Sequence, residues 1–346
     1  MKRLVVLSLF ILAAGLGAKA QQFEPAAEFK FNSEGTFKIL QLTDTHYIAD
    51  DTLSLRAISC IEEMLDTEKP DFVIHTGDII FGAPAERGVQ ELFAPLVKRG
   101  IPFAITLGNH DGQFDLDRYG IYEAVRRVPG CVNRSSDDKD ITGHSNDYIT
   151  ISSADSLEFV IYLFDSGDRY KMVEDSRKCY DFIRFDQIEW YRTLSLAFRE
   201  ANDGVPVQSM AFFHIPLPEM ASLQKHSSTV IYGNNEEKPC PSKINSGLYA
   251  QFRELGDVFA ISHGHDHDCD YVLSRGPVTM IYGRYSGGNT VYNHLGREGR
   301  SDDKVSGARV FEFRSGQKGV TTWVRLVGGD IQHPLHISID AVTPVE

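Results

Sequence analysis

Cysteine is sparse in this chain. Cys60, Cys131, Cys179, Cys240 and Cys269 are the five present, and no two form a Cys-x-x-Cys pair. A cysteine-built structural zinc site is therefore not indicated, and the odd count leaves at least one thiol unpaired in any compartment. Beyond residue 20 no stretch approaches the ~20 consecutive apolar residues of a membrane-spanning helix. Internal repeats and low-complexity tracts are also absent. Positive charge is short: 35 Lys and Arg stand against 48 Asp and Glu, a formal net charge of -13. Such an acidic surface disfavours nucleic acid and anionic membrane as partners.

The first twenty residues carry the pattern of an export signal. Lys2 and Arg3 precede the apolar run Leu4 to Leu16, and Ala18-Lys19-Ala20 is a small-x-small cleavage site. Gln21 is then the first mature residue. The run is too short for a spanning anchor, and no Cys follows the cleavage site to carry a lipid. The expectation is an exported protein, periplasmic or secreted, with no membrane anchor after cleavage. Loss of Lys2, Arg3 and Lys19 takes the formal charge from -13 to about -16. With 42% hydrophobic residues the chain can build a large core. Residues 21–346 are read as one domain, with a core from about 37 to 326 and a C-terminal β-hairpin and tail.

Apolar patterning places this chain in the α/β class. Phe37 to Leu42 reads as a strand, and Leu53, Ala57, Ile61, Met64 and Leu65 fall at helical spacing before Pro70. Phe72-Val73-Ile74 is a second strand. Val89, Leu92, Phe93 and Leu96 mark a helix stopped by Gly100, and Ile101 to Leu107 is a third strand. This β-α-β-α-β order implies parallel strands joined by crossover helices. Further strands are expected at Leu157–Phe164, Val207–Phe213, Val258–Ile261, Tyr271–Leu273 and Val278–Tyr282, with a helix over Ile188–Phe198. A late hairpin pairs Arg309–Phe313 with Thr321–Leu326. The polar segments 111–148 and 215–246 read as long loops that wall a site.

Polar clusters follow these strands in a fixed order: Asp44-Thr45-His46, Gly77-Asp78, Gly108-Asn109-His110-Asp111, His214, and Gly264-His265-Asp266-His267. In open α/β sheets, ligands bind at the carboxyl ends of strands. Neutral imidazole and carboxylate are metal ligands, and histidines two apart at a strand end can converge on an ion. Any one of these clusters is weak evidence, but five in this order are specific. Glycines at 77, 108 and 264 fit turns where backbone must come close to the site.

This order resembles the calcineurin-like metallophosphoesterases, from about Phe37 to about Leu326. Within that superfamily the chain is similar to small purple-acid-phosphatase-like proteins of plants, fungi and bacteria. The narrower likeness rests on Gly77-Asp78-Ile79-Ile80-Phe81-Gly82, Phe164-Asp165-Ser166-Gly167-Asp168, Phe213-His214-Ile215-Pro216-Leu217-Pro218-Glu219 and Ile244-Asn245-Ser246-Gly247. The resemblance implies a four-layer α-β-β-α sandwich with two central mixed sheets. It also implies two divalent metal ions (Mn, Zn or Fe), bridged by Asp78. Asp44, His46 and His267 would complete one ion, and Asn109, His214 and His265 the other. A hydroxide held between the ions would attack phosphorus in line, with His110 serving the leaving group as proton donor. Implied substrates are phosphorylated small molecules or phosphoproteins, monoesters before diesters. The chain departs from the purple enzymes at Phe81, where they carry the tyrosine ligand that gives their colour. A stable ferric site is therefore not expected.

Asp111, His263, His144 and Arg284 are candidates for contacts to the ligands or the substrate. His263 is read first as strand packing, and Asp266 as a turn residue facing away from the metals. His75 reads as a core histidine, and His226, His294, His333 and His336 as surface. The sequon at Asn133 is read as unmodified. Two other functions stay open at this level. One is a catalytically inactive binding protein of the same fold. The other is a metallo-β-lactamase-type hydrolase, against which the spacing His265-Asp266-His267 departs from that family's His-x-His-x-Asp-His.

Overall fold

A computed structural model describes residues 23–345 apart from 139, 155, 172–177, 289 and 291–304. The segment 1–20, expected to be an export signal, and His294 lie outside the described residues. One mixed sheet has eight strands: β1 (Ala27–Lys30), β5 (Asp147–Ser152), β6 (Leu157–Leu163), β9 (Gln208–Phe212), β11 (Val258–His263), β13 (Thr279–Tyr282), β12 (Val272–Ser274) and β10 (Val230–Tyr232), in that spatial order. A second has seven: β17 (Val342–Pro344), β16 (Ile331–Ile337), β15 (Val320–Leu326), β14 (Gly307–Arg314), β2 (Thr36–Leu42), β3 (Phe72–Thr76) and β4 (Phe103–Thr106). A two-stranded ribbon joins β7 (Arg169–Lys171) to β8 (Lys178–Tyr180).

The period-two alternation of β2 explains the layering. Phe37 and Ile39 point between the sheets, where they meet Ile149, Phe159 and Met210. Leu40 and Leu42 point outward onto α1 (Ser54–Glu68) and α2 (Ala85–Arg99), through Cys60, Ile61, Met64, Val89 and Leu92. The other sheet's outer face buries Tyr162, Phe213 and Ile261 against α4 (Phe185–Ala201) and α6 (Leu248–Leu255), through Tyr191, Leu194 and Phe252. Strands covered on both faces read as nearly continuous apolar runs, as Phe72 to Ile74 does. The result is the expected α-β-β-α sandwich. The β-α-β-α-β unit is also present, because β2 pairs parallel to β3 and β3 parallel to β4. The late hairpin forms as expected from β14 and β15.

Several elements were not legible. The 111–148 stretch is not all loop: α3 (Arg118–Arg126) buries Ile121, Tyr122, Ala124 and Val125, and Asp117 caps it by accepting from the Gly120 N–H at 2.7 Å. The 215–246 stretch holds α5 (Pro218–Leu223) and β10. All five cysteines are free thiols, and Cys60 is buried inside α1. Among the described residues no helix is long and apolar enough to cross a membrane.

A polar seam crosses the apolar interior. Gln41 on β2 donates from Nε2 to Thr76 Oγ1 at 2.9 Å and accepts at Oε1 from Ser262 Oγ on β11 at 2.6 Å. This ties the two sheets together directly beneath their shared strand ends.

Candidate metal centre

Each polar cluster leaves the carboxyl end of a parallel strand. Residues 43–46 follow β2, 77–78 follow β3, 108–111 follow β4, His214 follows β9, and 264–267 follow β11. Asp44, His46, Asp78 and His265 all have positive φ, at 55°, 42°, 52° and 83°. Non-glycine residues held there store strain of order 1–3 kcal/mol each, and such strain gathers at functional sites. Hydrogen bonds between the loops hold the strained residues: Asp44 N–H to Gly77 O at 3.0 Å, and His46 N–H to Asp78 O at 2.9 Å. The His265 N–H donates to the Asp44 carboxylate at 3.1 Å. The glycines matter where the loops touch. A Cβ on Gly108 would lie 2.2 Å from the Asp78 nitrogen and Oδ1, and one on Gly264 would lie 2.0 Å from Thr43 Oγ1.

Two groups of ligand-type atoms result, each within 4.8 Å: Asp44, His46, Asp78 and His267, and Asp78, His214 and His265. Asp78 is common to both. His46 Nε2 lies 3.0 Å from His267 Nε2 and 3.5 Å from Asp78 Oδ2. His214 Nε2 lies 3.2 Å from Asp78 Oδ2 and 3.3 Å from His265 Nδ1, and His267 Nε2 is 3.4 Å from Asp44 Oδ1. Burial pulls His46 and His265 down to about 3, so both are neutral and keep a lone pair for a cation. Burial opposes charge on His214 too, yet Asp78 holds it up to about 9. Burial pushes the Asp44 and Asp78 carboxyls up, but the facing imidazoles hold both well below the usual range.

The donors fit metal ions. Asn109 is buried, and among the described residues neither its side-chain oxygen nor its nitrogen finds a hydrogen-bond partner. A buried amide left so is costly unless something else engages it. His46 Nε2 and His267 Nε2 face each other at 3.0 Å, close enough to share one hydrogen bond or one ion. Carboxylate, amide and imidazole donors suit divalent first-row metals.

The surrounding residues fix this geometry. Asp111 Oδ1 accepts from Ile79 N–H at 2.8 Å and Ile80 N–H at 3.1 Å, and its Oδ2 accepts from Gly108 N–H at 2.8 Å. One carboxylate thus clamps the loops carrying Asp78 and Asn109, although burial raises it to about 6. The His110 N–H donates to Asp78 Oδ1 at 2.7 Å. Its ring is half-buried, edge-on to His46 and Phe81 at 5.2 and 5.1 Å. Gln113 Oε1 lies 2.9 Å from His110 Nδ1, while Gln113 Nε2 donates to Asn109 O. The Nδ1 edge is therefore occupied and Nε2 is left for proton transfer.

The remaining candidates have other partners. His263 packs between Tyr282 and Phe213, with ring centroids 4.2 and 5.9 Å away. Asp266 faces away from the clusters, accepting from Tyr282 Oη at 2.6 Å and Cys240 N–H at 3.1 Å. His144 lies against Tyr119 and Tyr122 and reaches Ser136 Oγ with Nδ1. Arg284 spends its guanidinium on Asp270 Oδ2 at 2.7 Å and Val305 O. His75 sits in β3 with Nε2 2.9 Å from Thr45 Oγ1, a core position. Asn133 is buried and bonds Ile105 N–H, in keeping with an unmodified side chain. Sequence reasoning missed Gln113 and gave no role to Asp165. That carboxylate takes Arg118 Nη2 at 2.5 Å and His144 N–H at 2.8 Å, and its neighbour Ser166 accepts from Ile215 N–H beside His214. The Phe164–Asp168 motif was the available signal.

Two mixed sheets between helical layers, with a buried Asp/His cluster at their common strand ends, define a metallohydrolase-type α/β protein with a centre suited to two metal ions. The chain belongs to the calcineurin-like phosphoesterase family, whose model matches residues 37–269. It is 28% identical to "Probable inactive purple acid phosphatase 14" of Arabidopsis thaliana over 86% of this chain and 82% of that one. It is 30% identical to "Phosphatase DCR2" of Saccharomyces cerevisiae over 88% of this chain and 56% of that longer one. A dimetal phosphatase from Danio rerio shares the fold with a TM-score of 0.53 at 11% identity, over 93% of this chain and 99% of that one.

Proposed function

We propose that this chain is an exported, metal-dependent phosphoesterase that hydrolyses phosphomonoesters on small molecules or proteins. The carrying observation is the Asp78 carboxylate shared by both ligand groups. Asp44, His46, His267 and Asp78 would hold one divalent ion, and Asp78, Asn109, His214 and His265 the other. Two such ions supply an activated nucleophile at neutral pH and neutralise charge on the phosphoryl oxygens. The chain's own residues do the rest. Asp111 keeps the Asp78 and Asn109 loops in register. Gln113 Oε1 accepts from His110 Nδ1–H, so a doubly protonated His110 ring would deliver its Nε2 proton to the departing alkoxide and be left neutral. Phe81 presents a ring, not a phenol, to His46 at 5.3 Å, so the protein is not expected to be purple. Export rests on the signal-like residues 1–20.

A second reading has a specific motive, since three plant relatives carry "inactive" in their names. It makes the chain a binding protein on the same fold. The test is hydrolysis of a chromogenic phosphomonoester and the matching diester by metal-loaded mature protein. Monoester turnover above diester turnover is the expected result. Faster diester turnover would overturn the substrate preference, and metal loading without any turnover would favour the binding reading.

A further inference from the structure

The short ribbon of β7 and β8 is used by nothing above. Its register sets Arg169 directly opposite Tyr180. The Arg169 guanidinium lies over the Tyr180 ring, 4.7 Å from its centroid. The Tyr180 ring in turn stands perpendicular to His265, with centroids 4.3 Å apart. Tyr180 is pinned from behind, because its carbonyl accepts from Ser242 Oγ at 3.0 Å. The ribbon therefore holds a cation one aromatic ring away from a residue of the metal centre. Just before the ribbon, burial raises the Asp168 carboxyl, while Arg118, Arg169 and His110 pull it back.

The other arginines near the site are committed. Arg118, Arg184 and Arg284 hold carboxylates at 2.5, 2.7 and 2.7 Å. Arg169 differs: among the described residues its one carboxylate neighbour is Asp168, at 4.0 Å. A guanidinium held over an aromatic ring has already lost part of its freedom, so less order remains to be imposed when an anion binds. In a chain of net charge -13 such a cation at the rim of the site calls for an anionic partner.

We propose that Arg169, held on Tyr180 one aromatic ring away from His265, is a specificity-determining residue that binds a second anionic group of the substrate. This deepens the phosphomonoesterase reading and rests on it for the reaction. The favoured substrates are phosphomonoesters whose leaving group carries a carboxylate or another phosphate. Simple neutral esters would be poorer.

The test compares wild type with Arg169→Met, which keeps an apolar stem over Tyr180 and removes the charge. The wild type should favour 4-carboxyphenyl phosphate over phenyl phosphate in kcat/KM. Arg169→Met should cut that preference about tenfold, mainly through KM, and Arg169→Lys should restore part of it. Calorimetry on metal-loaded protein gives a readout without turnover: 4-carboxybenzylphosphonate should bind about tenfold more weakly to Arg169→Met, relative to benzylphosphonate. Equal relative binding of the two phosphonates by wild type and Arg169→Met would overturn the inference, whatever the turnover. Absence of turnover on both esters, with the phosphonate discrimination intact, would overturn the hydrolase reading and leave the role of Arg169 standing.

Discussion

Two neighbouring residues on one loop have opposite tasks. Under the proposed function His110 would offer Nε2 to the leaving group, and it is not among the clustered ligand atoms of the described residues. His110→Asn should therefore retain metal while turnover falls by about 10²–10⁴. Metal analysis beside a monoester assay checks this, and loss of metal would make His110 a ligand. Asp111 works on backbone alone. Asp111→Asn places an amide nitrogen against N–H donors at Gly108 or at Ile79 and Ile80, leaving buried donors unsatisfied at about 1–3 kcal/mol each. Thermal melting should fall and metal affinity should drop with it. Unchanged melting would show that the two loops hold register without the clamp. These residues were legible because each sits within a few positions of a strand end. Gln113 was not, since its value lies in the ring nitrogen it occupies, which spacing alone does not reveal.

At the scale of elements, strands buried on both faces announced themselves as apolar runs, so β2, β3, β6, β9 and β11 fell where the pattern put them. The elements that escaped are short or half-exposed. β1 alternates between half-buried and exposed residues, and β16 is exposed at Ile331. The ribbon of β7 and β8 has three residues per strand, too few for any period to show. α3 was hidden inside a polar stretch, though Asp117 is an N-cap three residues before Gly120. The Gln41 seam is beyond local reading altogether, because its partner Ser262 is 221 residues away. Gln41→Leu removes that link and strands the Ser262 hydroxyl, while Thr76 Oγ1 keeps only its 3.4 Å bond to Leu42 O. It should cost about 1–3 kcal/mol in denaturant unfolding. A change within a few tenths would mean that apolar packing alone joins the sheets.

The whole molecule is a frame that brings the ends of two sheets to one place. Ligand-type residues come from β2, β3 and β4 of one sheet and β9 and β11 of the other. Asp78 is the residue at which the two contributions meet, so the account stands or falls on it. The most direct measurement is metal stoichiometry of purified mature protein and its Asp78→Asn variant, read beside phosphomonoester turnover. The account predicts about two ions per chain with turnover in the wild type, and loss of both in the variant. Less than one ion per chain in the wild type, or an Asp78→Asn variant that keeps its metal and its turnover, would contradict it.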